Sequence, residues 1–180
     1  MDQLDLDTVH LVGHSMGTVI CQHMAAAAPD RIAGMVLLGP LAEPPDAARP
    51  ALVDRAGAAR SEGMLAIADA ISDAALSKET KLESPNAQGF VREMLLRQPA
   101  EGYALSCLAL AESRAVDAAM IQCPVLLVTG DQDGVAPEAR VAAMHKSLPH
   151  SDMHVLDGCG HWTLSERDAE VVQLMREFMG

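Results

Sequence analysis

The sequence is poor in positive charge. Its 13 Lys and Arg residues stand against 25 Asp and Glu residues, which gives a formal net charge of −12. No cluster of Lys or Arg stands out against that excess. A chain charged in this way repels the phosphate backbone of nucleic acids and the anionic surfaces of membranes. We therefore expect neither nucleic acid nor a membrane among its partners.

Long apolar runs are also missing from the sequence. No stretch approaches the roughly 20 apolar residues that a membrane-spanning helix requires. The first residues, MDQLDLD, are acidic where a secretory signal would be basic. These two features predict a cytoplasmic protein. The 180 residues are 49% hydrophobic, which is sufficient for one domain with a sizeable core.

Cysteine is scarce, and its spacing argues against a metal site or a disulfide framework. The four cysteines are Cys21, Cys107, Cys123 and Cys159. No two of them form a Cys-x-x-Cys pair, which predicts buried, reduced thiols. The pairs His10 with His14 and His150 with His154 are each four residues apart, but neither pair is predicted to fall on one helix. We predict no metal and no cofactor.

Strand-like and helix-like segments alternate at both ends of the sequence. The strand-like segments are TVHLV (8–12), MVLL (35–38), PVLLVTG (124–130) and MHVLD (153–157). The helix-like segments are 16–28, 138–148 and 166–179. In the first helix the predicted apolar face is Met16, Ile20, Met24 and Ala27. The alternation predicts an α/β fold in which a parallel sheet lies between two layers of helices.

The middle of the sequence, from 41 to 118, shows no strand pattern. It opens with the proline-rich EPPDAARP and continues with helical periodicity. The predicted apolar faces of these helices are Met64, Ile67, Ala68, Ile71 and Ala75; Phe90 and Met94; and Tyr103, Cys107 and Leu110. We predict a helical lid inserted between two parts of one core, residues 1–40 and 119–180. Four of its arginines are predicted to lie on solvated helix faces: Arg60, Arg92, Arg97 and Arg114.

The segment GHSMG, residues 13–17, stands between the first strand and the first helix. It matches the pattern Gly-x-Ser-x-Gly, whose glycines let strand and helix approach closely and force the serine onto a strained, exposed turn. Ser15 is therefore the candidate nucleophile. The backbone N–H of Met16, at the start of the helix, is the candidate donor to an oxyanion.

A serine hydroxyl is a poor nucleophile until a base takes its proton, and the base in turn needs a carboxylate to orient it. The candidate base is His161, which follows the last strand in the glycine-rich loop DGCGH. The loop TGDQDGVAP, after the preceding strand, offers both Asp131 and Asp133. We favour Asp133 because it lies further into the loop and is followed by a glycine and a proline that would turn the chain across the site. Asp131 stays open as the alternative.

The order Ser15, Asp133, His161, each after its own strand, resembles that of the α/β-hydrolases. In that resemblance GHSMG is similar to the nucleophile elbow, GDQD to the acid loop and GCGH to the histidine loop. The segment EGYALSCLALAESRAVD (101–117) is similar to the 3-oxoadipate enol-lactonase group. The resemblance implies attack on a small ester or lactone through an acyl-enzyme. His14 and Trp162, which adjoin Ser15 and His161 in the sequence, are the expected substrate-binding residues, although Trp162 is equally suited to packing.

The sequence resembles only the C-terminal two-thirds of such a hydrolase. The family's first strands and the loop that gives the second oxyanion donor have no counterpart here, so we expect a fragment, a late start or one half of an assembly. The unpaired edge of TVHLV is expected to pair with another chain, either a second copy or a missing N-terminal segment. Two alternatives to an ester or lactone hydrolase stay open: a cofactor-free perhydrolase or haloperoxidase with the same triad, and a catalytically silent fragment.

Overall fold

Four parallel strands form one sheet in the computed structural model, which describes residues 1–180. The strands are β1 (Val9–His14), β2 (Ile32–Leu38), β3 (Val125–Gly130) and β4 (Ser151–Leu156). They neighbour one another in the same order across the sheet as along the chain. All four predicted strands are therefore present, although β2 and β4 begin earlier, and β1 ends later, than the apolar runs indicated.

Nine α-helices accompany the sheet. They are α1 (Met16–Ala27), α2 (Arg49–Glu62), α3 (Leu65–Ala74), α4 (Lys78–Glu83), α5 (Pro85–Leu96), α6 (Ala100–Glu112), α7 (Glu138–Ser147), α8 (Thr163–Glu166) and α9 (Asp168–Met179). The single helix predicted over 166–179 is thus shorter, and the short helix α8 precedes it. Arg167 separates the two with non-helical backbone, at φ −140° and ψ 50°.

Helices cover both faces of the sheet. On one face, Met35 and Leu37 of β2 are buried with residues of α1 and α7. On the other face, Val36 and Leu38 are buried with Val171 of α9. Successive strand residues point to opposite faces, so a strand covered on both sides is continuously apolar, and each such side chain contributes about 1.5–3 kcal/mol. The predicted three-layer α/β fold is confirmed.

The segment between β2 and β3 contains five helices, α2 to α6, and no strand. These helices bury apolar side chains among themselves. Ala56 and Ala59 of α2 pack with Ala104 and Cys107 of α6 in one cluster. A second cluster joins α3 with α5. The helical character predicted for this segment is present, while its limits at 41 and 118, and those of the flanking parts 1–40 and 119–180, stay predictions.

Two predicted apolar faces are wrong. In α5, Phe90 is 58% exposed and Met94 is 38% exposed, whereas Val91 and Leu95 are buried. In α1, the buried residues are Thr18, Val19, Cys21, Gln22 and Ala25, and the predicted Ile20 and Met24 are 49% and 39% exposed. Both helices carry apolar residues on two neighbouring stripes, and periodicity alone does not tell which stripe meets the core.

Strand β1 lies at an edge of the sheet, and its residue Val12 is 47% exposed. The predicted pairing of this edge with another chain stays a prediction. All four cysteines are buried and free, as the sequence predicted. No helix combines the length and apolar character needed to span a bilayer. No group of three or more His, Cys, Asp or Glu side chains is placed to hold a metal ion.

Candidate active site

The loops that carry the predicted site residues meet at the carboxyl ends of the strands. Backbone hydrogen bonds extend the sheet beyond those ends. The Ser15 N–H donates to the carbonyl of Leu38 at 2.9 Å, and the Asp131 N–H donates to the carbonyl of Leu156 at 3.0 Å. In a parallel sheet this edge is where ligands bind, because the turning loops leave a crevice there.

Ser15 occupies a strained turn between β1 and α1. Its φ of 52° and ψ of −119° lie in a backbone region that residues other than glycine rarely adopt. A Cβ on Gly13 would lie 2.5 Å from the carbonyl oxygen of Gly17 and 2.8 Å from Sγ of Cys21, so glycine is required at 13. A Cβ on Gly17 would meet no other heavy atom within 4 Å. The predicted need for glycine at 17 is therefore wrong, because Gly17 makes the close approach with its backbone.

Asp133 and His161 form a buried pair. Nδ1 of His161 lies 2.8 Å from Oδ2 of Asp133, and the two side chains are 6% and 0% exposed. Oδ1 of Asp133 accepts hydrogen bonds from the N–H groups of Val135 and Ala136, both at 2.8 Å. Burial by itself raises the pKa of Asp133, but the hydrogen bond and charge interaction with His161, together with the two N–H groups, lower that pKa below its ordinary value. Asp133 is thus held as a carboxylate.

Asp131, the alternative carboxylate, has a different partner. Its Oδ1 accepts a hydrogen bond from the backbone N–H of Cys159 at 3.0 Å. This contact joins the acid loop to the histidine loop without touching the imidazole. The structure therefore brings Asp133, and not Asp131, to the ring of His161.

The other ring nitrogen of His161, Nε2, is buried and has no hydrogen-bond partner. No hydrogen bond therefore joins Ser15 and His161 in this structure. Because Nδ1–H donates to Asp133, the neutral ring carries an unprotonated Nε2. Buried polar atoms are rarely left unpaired, and exceptions often mark a functional role. The serine turn is close by, since the ring of His14 lies 4.9 Å from that of His161 between centroids.

Gly39, directly after β2, belongs to the site and was missed by sequence reasoning. Its φ is +55°, and a Cβ there would lie 2.8 Å from both Cε1 and Nδ1 of His161 and 3.3 Å from Oδ2 of Asp133. The absence of a side chain leaves room for the imidazole and carboxylate pair. The available signal was the Gly-Pro sequence after a buried strand, which indicates the end of a strand equally well.

His14, which directly precedes Ser15, forms a hydrogen bond with the histidine loop. Its Nε2–H donates to the backbone carbonyl of His161 at 2.8 Å, and its ring lies 5.0 Å from that of Trp162. Burial, followed by the nearby charge of His161, lowers the pKa of His14 from 6.5 to about 4. His14 is therefore neutral at neutral pH.

Replacement of His14 by Gln is expected to reduce the acid sensitivity of folding. The pKa of His14 is about 4 in the folded chain and 6.5 when unfolded, so the unfolded chain binds the extra proton as pH falls from 6.5 to 4. That difference corresponds to about 3 kcal/mol of stability, present above pH 6.5 and lost as pH falls. Urea unfolding of the wild type and His14→Gln from pH 7 to pH 4 measures it. Equal losses of unfolding free energy in both proteins would contradict the prediction.

Trp162 follows His161 and packs against the helical insertion. Its ring contacts the buried cluster of Ala68, Leu76, Val91 and Leu95. Its indole N–H is buried without a partner. The structure thus places Trp162 in packing, and contact of Trp162 or His14 with a substrate stays a prediction.

The four arginines predicted to be solvated lie on the surface of the insertion. Arg60 pairs with Glu101, Arg92 with Asp69 and Arg97 with Glu93, and Arg114 donates to backbone carbonyls. Arg60, Arg92 and Arg97 agree with the predicted solvated helix faces. Arg114 is exposed but follows the end of α6, so it does not lie on a helix.

A parallel sheet with a strained serine at a strand-to-helix turn, and an Asp–His pair after two further strands, defines the α/β-hydrolase class. A family model described as "Alpha/beta hydrolase family" matches residues 1–174. The chain belongs to the alpha/beta hydrolase family. The resemblance drawn from the sequence is confirmed.

Three known proteins show how the chain compares with individual relatives. It is 23% identical over 187 residues to a 2-hydroxy-6-oxononadienedioate/2-hydroxy-6-oxononatrienedioate hydrolase of Cupriavidus pinatubonensis, covering 100% of this chain and 65% of the relative. Its structure is similar to that of a thermophilic esterase from Thermogutta terrifontis, with a TM-score of 0.93, 29% identity, and coverage of 99% and 67%. It is also similar to the enol-lactonase from Burkholderia xenovorans, with a TM-score of 0.90, 26% identity, and coverage of 100% and 69%. The chain thus spans about two thirds of the length of these relatives.

Proposed function

We propose that the chain hydrolyses a carboxylic ester or lactone, with Ser15 as nucleophile, His161 as base and Asp133 as the orienting carboxylate. The observation that carries the proposal is a strained serine turn beside a buried Asp–His pair whose Nε2 has no partner. A serine hydroxyl becomes an effective nucleophile only when a base takes its proton. Nε2 of His161 has the free lone pair for that task.

The proposed reaction proceeds in two halves. Oγ of Ser15 adds to the carbonyl carbon while its proton passes to Nε2 of His161, and the carbonyl electron pair moves to oxygen. When this tetrahedral intermediate collapses, the C–O bond to the leaving alcohol breaks, and that oxygen takes the proton from Nε2. Water then adds to the acyl group on Ser15, gives a proton to Nε2, and releases the acid as the serine regains its proton. Asp133 stays ionised and stabilises the imidazolium in both halves.

Charge on the tetrahedral oxygen is proposed to be stabilised by the backbone N–H of Met16. Met16 is the first residue of α1 and directly follows the serine turn. The N-terminus of a helix carries unpaired N–H groups and a partial positive charge, which favour an oxyanion. One such donor is typically worth about 10² to 10³ in kcat.

The proposed substrate is a small-molecule ester or lactone of the enol-lactone type, bordered by His14 and Trp162. Two observations support this class. The segment 101–117 resembles the enol-lactonases in sequence, and the structure is similar to that of an enol-lactonase at 26% identity. The reaction as proposed needs no cofactor, because proton transfer and acyl transfer both use side chains of this chain. We propose the cytoplasm as its location.

Labelling with a fluorophosphonate tests the proposed nucleophile. The reagent forms a covalent bond with an activated serine, so the wild type is expected to be labelled and Ser15→Ala to remain unlabelled. Ser61→Ala is the matched control, because Ser61 is exposed on α2 and donates only to the carbonyl of Gly57. Mass spectrometry of the intact protein and of its peptides measures the labelling and its position.

Three outcomes separate the proposed function from its alternatives. Labelling at Ser15 followed by turnover of an enol-lactone or a p-nitrophenyl ester supports a hydrolase. Labelling without hydrolysis, but with halogenation in the presence of peroxide, a carboxylic acid and bromide, supports perhydrolase chemistry. A folded wild type that is not labelled contradicts the proposal and supports a silent fragment.

A further inference from the structure

A short segment of the helical insertion, residues 75–79, contacts both loops that carry the Asp–His pair. We call it the strap. Its Ala75 carbonyl accepts a hydrogen bond from the backbone N–H of His161 at 2.8 Å. A Cβ on Gly160 would lie 2.6 Å from that carbonyl oxygen and 2.7 Å from the backbone nitrogen of Ser77. The histidine loop and the strap thus meet backbone to backbone, at a distance that only glycine permits.

Glu166 of α8 holds this junction with one carboxylate. Its Oε1 accepts the N–H groups of Gly160 at 3.0 Å and Trp162 at 3.1 Å, the two neighbours of His161 in the chain. Its Oε2 accepts the N–H of Ser77 in the strap at 2.8 Å. Hydrogen bonds to a charged acceptor are stronger than those between neutral groups. Glu166 therefore fixes the backbone on both sides of the base and ties it to the strap.

Gln132 makes the corresponding contact from the acid loop. It is the residue directly before Asp133. Its Oε1 accepts the N–H of Lys78 at 3.0 Å, and its Nε2 donates to a carboxylate oxygen of Glu79. Its backbone N–H donates to the carbonyl of Cys159 at 2.9 Å. Both halves of the Asp–His pair are thereby joined to the strap.

We infer that Glu166 and Gln132 are positioning residues, which hold the strap against the two loops and so fix the imidazole in line with Asp133. The inference rests on the proposed function, since it assigns His161 as the base. Neither residue is expected to touch the substrate. Because reaction rate depends steeply on the placement of a base, loss of either contact is expected to lower the rate of the chemical step and leave reagent binding unchanged.

Glu166→Gln tests the first contact. A glutamine has one acceptor oxygen and one donor nitrogen, so its oxygen can accept the N–H groups of the histidine loop or the N–H of the strap, but not both. At the other contact its NH₂ group would face a backbone N–H, and two donors cannot form a hydrogen bond. The maximal rate of fluorophosphonate labelling at Ser15 is expected to fall about 10-fold to 100-fold, with the half-saturating reagent concentration unchanged. The matched control is Glu170→Gln, since Glu170 is exposed in the first turn of α9. It is expected to label like the wild type.

Gln132→Glu tests the second contact, and a second substitution, at Glu79, is expected to reverse its effect. The substitution sets a carboxylate against that of Glu79, and labelling is expected to slow about tenfold because the two like charges repel. Adding Glu79→Gln restores a donor and an acceptor with their positions exchanged. The double variant is expected to recover the wild-type rate. Thermal unfolding of the three proteins shows whether each is folded at the labelling temperature. A folded double variant that labels as slowly as Gln132→Glu would contradict the positioning role of Gln132.

The proton NMR signal of the Nδ1–H between His161 and Asp133 separates this inference from the proposed function. The low-field resonance is assigned by its absence from Asp133→Asn. If the wild type is labelled and Glu166→Gln is labelled as fast, the positioning role is overturned and the hydrolase function stands. If the wild type is not labelled, the function fails, and the resonance decides the positioning role. A resonance that shifts or disappears in Glu166→Gln supports the role, and one that is unchanged overturns it.

Discussion

Asp133→Asn is expected to lower kcat for ester hydrolysis about 10⁴-fold while leaving the fold intact. Oδ1 of Asp133 accepts two backbone N–H groups, so an asparagine would keep its amide oxygen there. Its NH₂ group would then occupy the place of Oδ2 and face Nδ1 of His161. The ring would have to accept at Nδ1 and carry its proton on Nε2. The base would lose the lone pair that receives the serine proton.

The matched control for this prediction is Asp131→Asn. Asp131 lies two residues away in the same loop, is exposed, and only accepts the N–H of Cys159, which an asparagine oxygen can also accept. Its kcat is expected to equal that of the wild type. Steady-state hydrolysis of a p-nitrophenyl ester measures both variants. A larger loss in Asp131→Asn than in Asp133→Asn would contradict the assignment of the orienting carboxylate.

Gly39→Ala is expected to lower kcat about 100-fold or more, because its new Cβ would displace the base. That atom would lie 2.8 Å from two ring atoms of His161. The ring has little room to yield, since Asp133 holds its Nδ1 and the ring of His14 lies 4.9 Å away between centroids. The left-handed φ of +55° adds about 1–2 kcal/mol of backbone strain for a residue with a side chain.

Gly63→Ala separates backbone strain from displacement of the base. Gly63 ends α2 with a φ of +78°, and a Cβ there would meet nothing within 4 Å. Its stability is expected to fall through backbone strain, while kcat stays that of the wild type. Thermal unfolding and ester hydrolysis, measured on both glycine variants, test this. Retention of full activity in Gly39→Ala would show that the position of the His161 imidazole does not depend on the absence of a side chain at residue 39.

The sequence predicted those parts of the fold that depend on local pattern. The runs MVLL and VLLV identified β2 and β3 because a strand covered on both faces is apolar at every position. GHSMG identified the serine turn because the turn requires glycine at 13 and lies between a strand and a helix, and both features can be recognised in the sequence. The pattern failed for α5, where Phe90 and Val91 lie on adjacent stripes and only the partner helix decides which is buried.

Contacts between distant parts of the chain were decided by the tertiary structure alone. The place of Asp133 in its loop favoured it in the sequence but did not exclude Asp131. The 2.8 Å approach of Asp133 to His161, 28 residues further along the chain, decides between the two carboxylates. The bond between Glu166 and Ser77 joins residues 89 apart, and no spacing in the sequence announces it. The sequence by itself determined the strands, the serine turn and the side chains available for chemistry, because these follow from local hydrophobicity and backbone preference. Only folding determined which carboxylate meets the base, why residue 39 has no side chain, and how the helical insertion contacts the pair, because each depends on atoms that the chain brings together in three dimensions.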